Sequence, residues 1–182
     1  LGQWPEQGLG IDLRIFKERV RDLIGTQCPS GNAIDCRPGF TPLYLAKDWV
    51  NAGKADQRGV ELQVKWQATP ETQILANYAF LHIYSGFDEQ RYSPTHLAGL
   101  HSLHRFPGEV DLTLSKYWVS AFTPIGQGPL PAYQRVDARI AKRFKWSGQR
   151  AQVALTVQNL TGSYLEFADE YPDNIFDRRA YV

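Results

Sequence analysis

RGVELQVKWQATPETQILANYAFLHIY, residues 58–84, is two alternating runs joined by a turn. Val60, Leu62, Val64 and Trp66 take every second position, with Glu61, Gln63 and Lys65 between them. That is the period of a strand with one apolar and one polar face. Thr69-Pro70-Glu71-Thr72 supplies the reversal, Pro presetting a turn backbone. In the second arm Ile74, Ala76, Tyr78 and Phe80 share a face, opposite Gln73, Asn77 and Ala79. Each arm exceeds the about 5–6 residues usual for a strand and approaches the roughly 9–11 tilted residues with which a β-strand crosses a bilayer. Such a hairpin reads as one unit of a repeated sheet.

Composition narrows the classes around it. The 182 residues carry a net charge of +1 with Lys and Arg dispersed, so there is no nucleic-acid footprint. Hydrophobic residues make up 43% of the chain, yet no run approaches the about 18 of a transmembrane helix. A helical membrane protein is excluded; a barrel is not, because its apolar residues recur at alternate positions. Leu1 has no basic and apolar leader before it, so no targeting signal is read. Alternation still running at Val182 gives the expectation of an excerpt cut at both ends.

The same alternation recurs along the chain. Residues 1–4 resemble a strand tail, and Pro5-Glu6-Gln7-Gly8 is a tight turn. Residues 9–20 alternate, 25–42 are rich in turn formers, and 43–50 lead back into the opening hairpin. Beyond the polar loop 85–95, strands are expected at 96–106, 110–122, 133–146 and 151–160, with a last one beginning near Arg178. Pro107-Gly108-Glu109 and Ser147-Gly148-Gln149 are tight turns, whereas 122–132 and 161–177 are long connections. The result is about eight antiparallel strands joined alternately by short turns and long loops, the asymmetry of an up-and-down transmembrane barrel. A soluble β-sandwich shares the alternation. It does not predict the strand lengths, the long loops at one end, or Glu61, Lys65, Arg135, Asp137, Arg139 and Arg143 projecting from one side. Trp66, Phe106 and Trp146 near the short turns, and Tyr84, Tyr117, Trp118, Phe122 and Tyr133 near the long loops, suggest two interfacial girdles.

Four stretches then carry a family resemblance. IDLRIFKERVRDLI (11–24), Asn51-Ala52-Gly53 followed by Arg58-Gly59-Val60-Glu61-Leu62, Tyr133-Gln134-Arg135-Val136-Asp137-Ala138-Arg139, and Val157-Gln158-Asn159-Leu160-Thr161 resemble four strands of TonB-dependent outer-membrane receptors, the last of them the penultimate one. They fall in the family's order over nearly the whole chain. The resemblance implies that residues 1–182 are the C-terminal part of a larger, about 22-stranded plugged barrel in the outer membrane of a Gram-negative bacterium. It implies energy-dependent uptake of a scarce large nutrient, a ferric siderophore or else haem or cobalamin. It further implies outer-membrane lipid around the wall, and coupling to the TonB complex through a plug and TonB box that lie elsewhere. No cofactor is implied. Two other classes stay open: a passive channel or self-contained eight-stranded barrel, and a soluble β-rich binding domain.

Single residues are read against plainer roles. Gly59 and Glu61 are structural, and Asn159 caps a strand as it enters its loop. Arg135, Asp137, Arg139 and Arg143 are a solvated wall before they are a ligand site. His101 and His104, an odd separation apart on one strand, point to opposite faces and do not share an ion. With no Ser/His/Asp set, phosphate loop or carboxylate pair, the chain is not read as an enzyme and no metal site is assigned. Val60, Leu62, Val64, Val136, Ile140, Val153 and Leu155 are expected on the lipid face, and Glu61, Gln63, Arg135, Asp137, Arg139 and Gln152 on the lumen face. Residues 9–20 and 178–182 are expected to be the outer edges. Ligand is expected at the long-loop end, on Phe87, Arg91 and Tyr92, on Phe122 and Tyr133, and on Tyr164, Phe167 and Tyr171. There aromatic faces and Arg suit a flat, partly anionic chelate.

Cys28 and Cys36 lie in one loop, with Pro29, Gly31 and Asn32 between them to fold the chain. In an envelope protein the compartment is oxidising and the pair is expected to be bonded, with Cα atoms within about 7 Å. Alkylation without reductant should leave both unlabelled, and peptide mapping should show them linked. Two labelled cysteines would contradict the bond.

Overall fold

Four short turns set the register of the strands between them. The computed structural model describes residues 2–27, 48–85, 89–124, 128–167 and 174–182. Ser147 and Gly148 both have positive φ, 49° and 79°, the geometry of a two-residue hairpin turn that matches strand twist. At the turn of the central hairpin the Thr69 hydroxyl accepts the N–H groups of Glu71 and Thr72, at 3.2 and 3.1 Å, replacing backbone partners that the reversal removes.

The strands are β1 (Gly2–Trp4), β2 (Leu9–Gln27), β3 (Asp48–Gln67), β4 (Thr72–Ser85), β5 (His96–Phe106), β6 (Val110–Val119), β7 (Tyr133–Trp146), β8 (Gln149–Gln158), β9 (Tyr164–Phe167), β10 (Asn174–Phe176) and β11 (Arg179–Tyr181). One sheet of nine runs β1-β2-β3-β4-β5-β6-β7-β8-β11, and β9 pairs with β10 apart from it. Every pairing is antiparallel. The fold is therefore all-β and up-and-down, with nine strands in the main sheet rather than about eight.

β2, at 19 residues, runs well past the expected 9–20, and β3, at 20 residues, is described from Asp48, with 43–47 outside the described residues. The pairing shifts between Arg21 and Leu23 and again between Leu23 and Ile24, where Asp22 has φ 58°. A bulge of this kind resets which residues face which way, so the alternation breaks although the ladder continues. Cys28, Cys36, Phe87 and Tyr171 lie outside the described residues.

Residues directly opposite one another share a face, so the register sorts the whole sheet. One row reads Leu13, Leu62, Tyr78, Ala98, Trp118, Gln134, and the next reads Asp12, Gln63, Asn77, Gly99, Tyr117, Arg135. Leu112, Ile140 and Leu155 line up on the first side, and Asp111, Ala141 and Ala154 on the second. The seven apolar residues expected on one face and the six polar residues expected on the other all fall accordingly. The parity also separates the girdle residues. Tyr84 and Trp118 are on the apolar face, but Tyr117 and Tyr133 are on the polar one, opposite Arg135 and Val119.

The apolar face is bare. Ile15 is 74% exposed, Leu13 52%, Ile140 48% and Trp146 71%, whereas the buried apolar side chains among the described residues are Ala55, Leu130, Ala141 and Phe176. A sandwich would have packed that face against a second sheet; an uncovered apolar face of this extent marks a contact surface for a membrane or another protein. On the polar side Phe16 lies across Gly59, its directly opposite partner, where a Cβ would collide with the ring and with the Phe80 carbonyl oxygen. Gly59 is thus structural, as expected.

The sheet is open. β1 covers only Leu9, Gly10 and Ile11 of β2, and β11 pairs only with Thr156, Val157 and Gln158 of β8. The two outer strands are therefore β1 and β11, with β2 from Asp12 onward unpaired on its outer side among the described residues. β1 and β11 do not meet, which removes the closed small-barrel arrangement. The turns are also staggered. Thr72 pairs with His104, placing Phe106 two residues beyond the start of β4, and Val110 pairs with Lys142, placing Trp146 four residues further still. Such progressive stagger is what tilted strands of a barrel wall require.

Ile140→Arg should destabilise the membrane-inserted barrel by about 2–4 kcal/mol, because it places a cation on the lipid face near mid-span. Gln152→Arg, on the opposite face, should cost far less. Reversible denaturant titration in lipid vesicles checks the pair, and equal costs would contradict the face assignment.

Candidate functional site

At the long-loop end of the polar face, β7, β8 and the β9–β10 hairpin meet around two ionisable side chains. Arg135 Nη2 donates to Asp137 Oδ2 at 2.9 Å, and the pair is 25% and 15% exposed. Same-face neighbours along a strand are two residues apart, so the strand itself delivers this pair. The Arg135 guanidinium also lies over the Tyr117 ring at 4.9 Å and the Phe176 ring at 5.4 Å. The Tyr133 ring stacks on Tyr164 at 4.4 Å and 1°, and Tyr164 stacks on Phe176 at 5.4 Å and 18°. Arg179 covers Phe176 at 4.4 Å. An aromatic and guanidinium layer therefore stands across the lumen side of β6, β7 and the β9–β10 hairpin.

Asn159 holds this layer in place. It is fully buried, and its φ of 58° turns the chain out of β8, a backbone region that Asn tolerates better than most residues. Its N–H donates to Asp137 Oδ1 at 2.9 Å, and its side-chain amide donates to the Phe176 carbonyl at 2.9 Å. Arg178 returns from the far side of the loop, its Nη2 donating to the Leu160 carbonyl at 3.0 Å and its Nε to the Asn159 carbonyl at 3.4 Å. Asp137 thus binds Arg135 with one oxygen and the Asn159 turn with the other. Its wall position was legible from alternation, but its role as the joint between two strands was not.

The other expected residues fall into two groups. Tyr133 and Tyr164 come together as described. Arg91 and Tyr92 lie in a 3-10 turn, Glu89–Tyr92, with Arg91 Nη2 donating to the Tyr92 hydroxyl at 2.6 Å and the guanidinium 4.7 Å from its ring centre. The Gln90 side chain anchors that turn, accepting the Ile83 N–H at 2.6 Å and donating to Thr95 Oγ1 at 3.1 Å. The Arg91 carbonyl accepts the Thr123 N–H at 2.6 Å, and Phe122 bridges to Leu130. This brings the Arg91–Tyr92 turn beside the segment carrying Phe122. Phe167 pairs with Asn174 through the backbone. His101 meets Ser115 Oγ at 3.0 Å on the polar face, and His104 meets Thr72 Oγ1 at 2.8 Å on the apolar face. The two imidazoles therefore point apart as parity requires.

A family model described as TonB dependent receptor-like, beta-barrel, matches residues 3–160. Among solved structures, a chain of the structure described as the FpvAI–pyocin S2 complex matches with a TM-score of 0.67 at 16% identity, over 95% of this chain. The match spans 23% of that longer chain. No curated protein matches the sequence.

Asn159→Ala should loosen the β9–β10 hairpin by about 1–3 kcal/mol, since it leaves the buried Phe176 carbonyl without its donor. It adds the cost of a left-handed backbone on Ala, which Asn159→Gly avoids. Limited proteolysis within 164–178 should therefore accelerate in the order wild type, Gly, Ala. Equal rates would show that the clamp does not hold the hairpin.

Proposed function

Because the chain belongs to the TonB-dependent receptor-like β-barrel family, we propose that it forms a wall and loop segment of an outer-membrane receptor that takes up a scarce, large nutrient, with a ferric siderophore as the cargo class. The observation that carries the cargo class is the layer over the lumen side of β7: stacked Tyr133, Tyr164 and Phe176 with the Arg135 and Arg179 guanidiniums against aromatic faces. Aromatic planes stack on flat chelators, and guanidiniums favour their anionic groups. Haem, a flat ring with two anionic propionates, suits the same layer and is the second cargo class, whereas cobalamin carries axial groups over its ring faces and suits it least.

The division of labour follows from size and dilution. Such solutes exceed what a passive pore passes, so the receptor must bind tightly outside and release inward at the expense of energy. This segment supplies affinity at the rim and a lipid-facing wall. Release through the TonB complex would act on a plug, and on residues other than these. Arg91, Tyr92, Phe122, Tyr133 and Tyr164, with Phe87, Phe167 and Tyr171 beside them in sequence, are the proposed rim contacts. The Cys28–Cys36 bond would clip a further rim loop. A passive channel would have no use for an aromatic and guanidinium layer held by a buried clamp.

The test is binding of ferric siderophores by the full-length receptor bearing Arg91→Ala and Tyr92→Ala. Cation–π and stacking losses of about 1–3 kcal/mol together predict a 5- to 150-fold weaker Kd. Unchanged affinity for every candidate chelate, at normal surface expression, would remove this loop from the site.

A further inference from the structure

The apolar face changes character at one level. On β2 the series Ile11, Leu13, Ile15 gives way to Lys17, Arg19 and Arg21; on β3 the series Val64, Leu62, Val60 gives way to Arg58, Asp56 and Lys54. The register lays these side by side, Lys17 opposite Arg58, Arg19 opposite Asp56, and Arg21 opposite Lys54. Five cations and one carboxylate therefore share a patch. Like charges directly opposite one another destabilise a sheet, yet two of the three rungs oppose cation to cation. The single carboxylate is already taken: Arg19 Nε donates to Asp56 Oδ1 at 2.8 Å. That hydrogen bond holds the Asp56 carboxyl below its usual range, and the charges of Arg19, Lys17 and Arg21 act in the same direction.

Inward, the same rungs carry nothing comparable. Glu18 accepts from Gln57 Nε2 at 2.7 Å, and Val20 lies opposite Ala55. Charges placed only for solubility would not be sorted by face in this way. Their height is also defined. Counting from the short turns, Lys17 is the ninth residue of β2 and Arg58 the tenth of β3, where the about 9–11 residues of a membrane crossing are used up. Below lie Ile15 and Val60 for acyl chains. Beside them on β4, His82 and Tyr84 are opposite Arg58 and Asp56, and Arg58 lies 4.6 Å over the Tyr84 ring. Lys17, Asp56, Gln57, Arg58 and Tyr84 line a cavity of 160 Å³.

We propose that Lys17, Arg19, Arg21, Lys54 and Arg58 form a binding site on the outer wall for the phosphate groups of lipid headgroups in the surrounding leaflet. The apposed cations match the charge of such phosphates, and the apolar wall immediately beneath selects a lipid over a soluble anion. The site depends on the outward orientation of the apolar face and not on the cargo. Bound lipid would brace β2 and β3 where they leave the membrane.

Native mass spectrometry of the full-length receptor in detergent tests it, with bisphosphorylated lipid A, the same lipid dephosphorylated, and inorganic pyrophosphate as probes. Wild type should retain lipid A, and Lys17→Gln with Arg58→Gln should weaken binding more than tenfold while leaving the Arg19–Asp56 pair intact. Lys142→Gln with Lys145→Gln, at the short-turn end, should not weaken it. Equal retention by the Lys17 and Arg58 variant, or equal binding of dephosphorylated lipid, would overturn the proposal. Displacement of lipid A by equimolar pyrophosphate would reassign the site to a soluble anion and overturn it too. Heat-modifiable gel mobility reports folding, and if that variant does not fold, Arg21→Gln with Lys54→Gln carries the same test. Siderophore binding should stay at the wild-type level, so failure of this site and failure of the cargo reading appear in different assays.

Discussion

Backbone pairing in lipid is the constraint on which the rest depends. Inside a bilayer each unpaired N–H or C=O costs several kcal/mol, so strands that cross it must be hydrogen-bonded on both sides by other strands. This single demand explains the antiparallel ladder from β2 to β8, the stagger of its turns, and why the described residues form no conventional core. The alternation of side chains then follows from strand geometry, one face for lipid and one for the polar interior. What would be a core in a soluble domain is here the exterior, which is why Ile15 is 74% exposed while Asn159 is fully buried.

Polar groups accordingly become the organising elements of the inner side. Asp137 links Arg135 to the Asn159 turn, and Asn159 links β8 to Phe176 across the β9–β10 hairpin. The aromatic layer of Tyr133, Tyr164 and Phe176 is positioned by these bonds rather than by hydrophobic packing from above. The order of this face is thus carried by a few side chains, and under the proposed function the same side chains would meet the ligand. Under the proposed function, a layer already held in place by hydrogen bonds would favour affinity, because ordering it on binding would cost free energy.

Much of this was legible in the sequence where strict alternation operates. Residues 58–84 alone fix two strands, their turn and their faces, since a one-residue slip would reverse every side chain. Legibility ended at Asp22, where a bulge breaks parity while the ladder goes on, so the outward reach of β2 was missed. β9 and β10 were read as loop because strands of four and three residues present too few alternations to count. Tyr117 and Tyr133 were grouped with the girdle by sequence position; only pairing with Arg135 and Val119 shows that they face inward. The Asn159 clamp has no periodic signature at all, being a contact between residues 17 and 22 apart in sequence.

The face assignment bears everything else, and spin labels placed singly at positions 60–65 test it most directly. In lipid vesicles, accessibility to dissolved oxygen should peak at 60, 62 and 64, and accessibility to a water-soluble nickel complex at 61, 63 and 65. The two profiles should oscillate with a period of two residues and in opposite phase. Equal accessibilities along the strand, or nickel maxima at 60, 62 and 64, would contradict a barrel wall with this register.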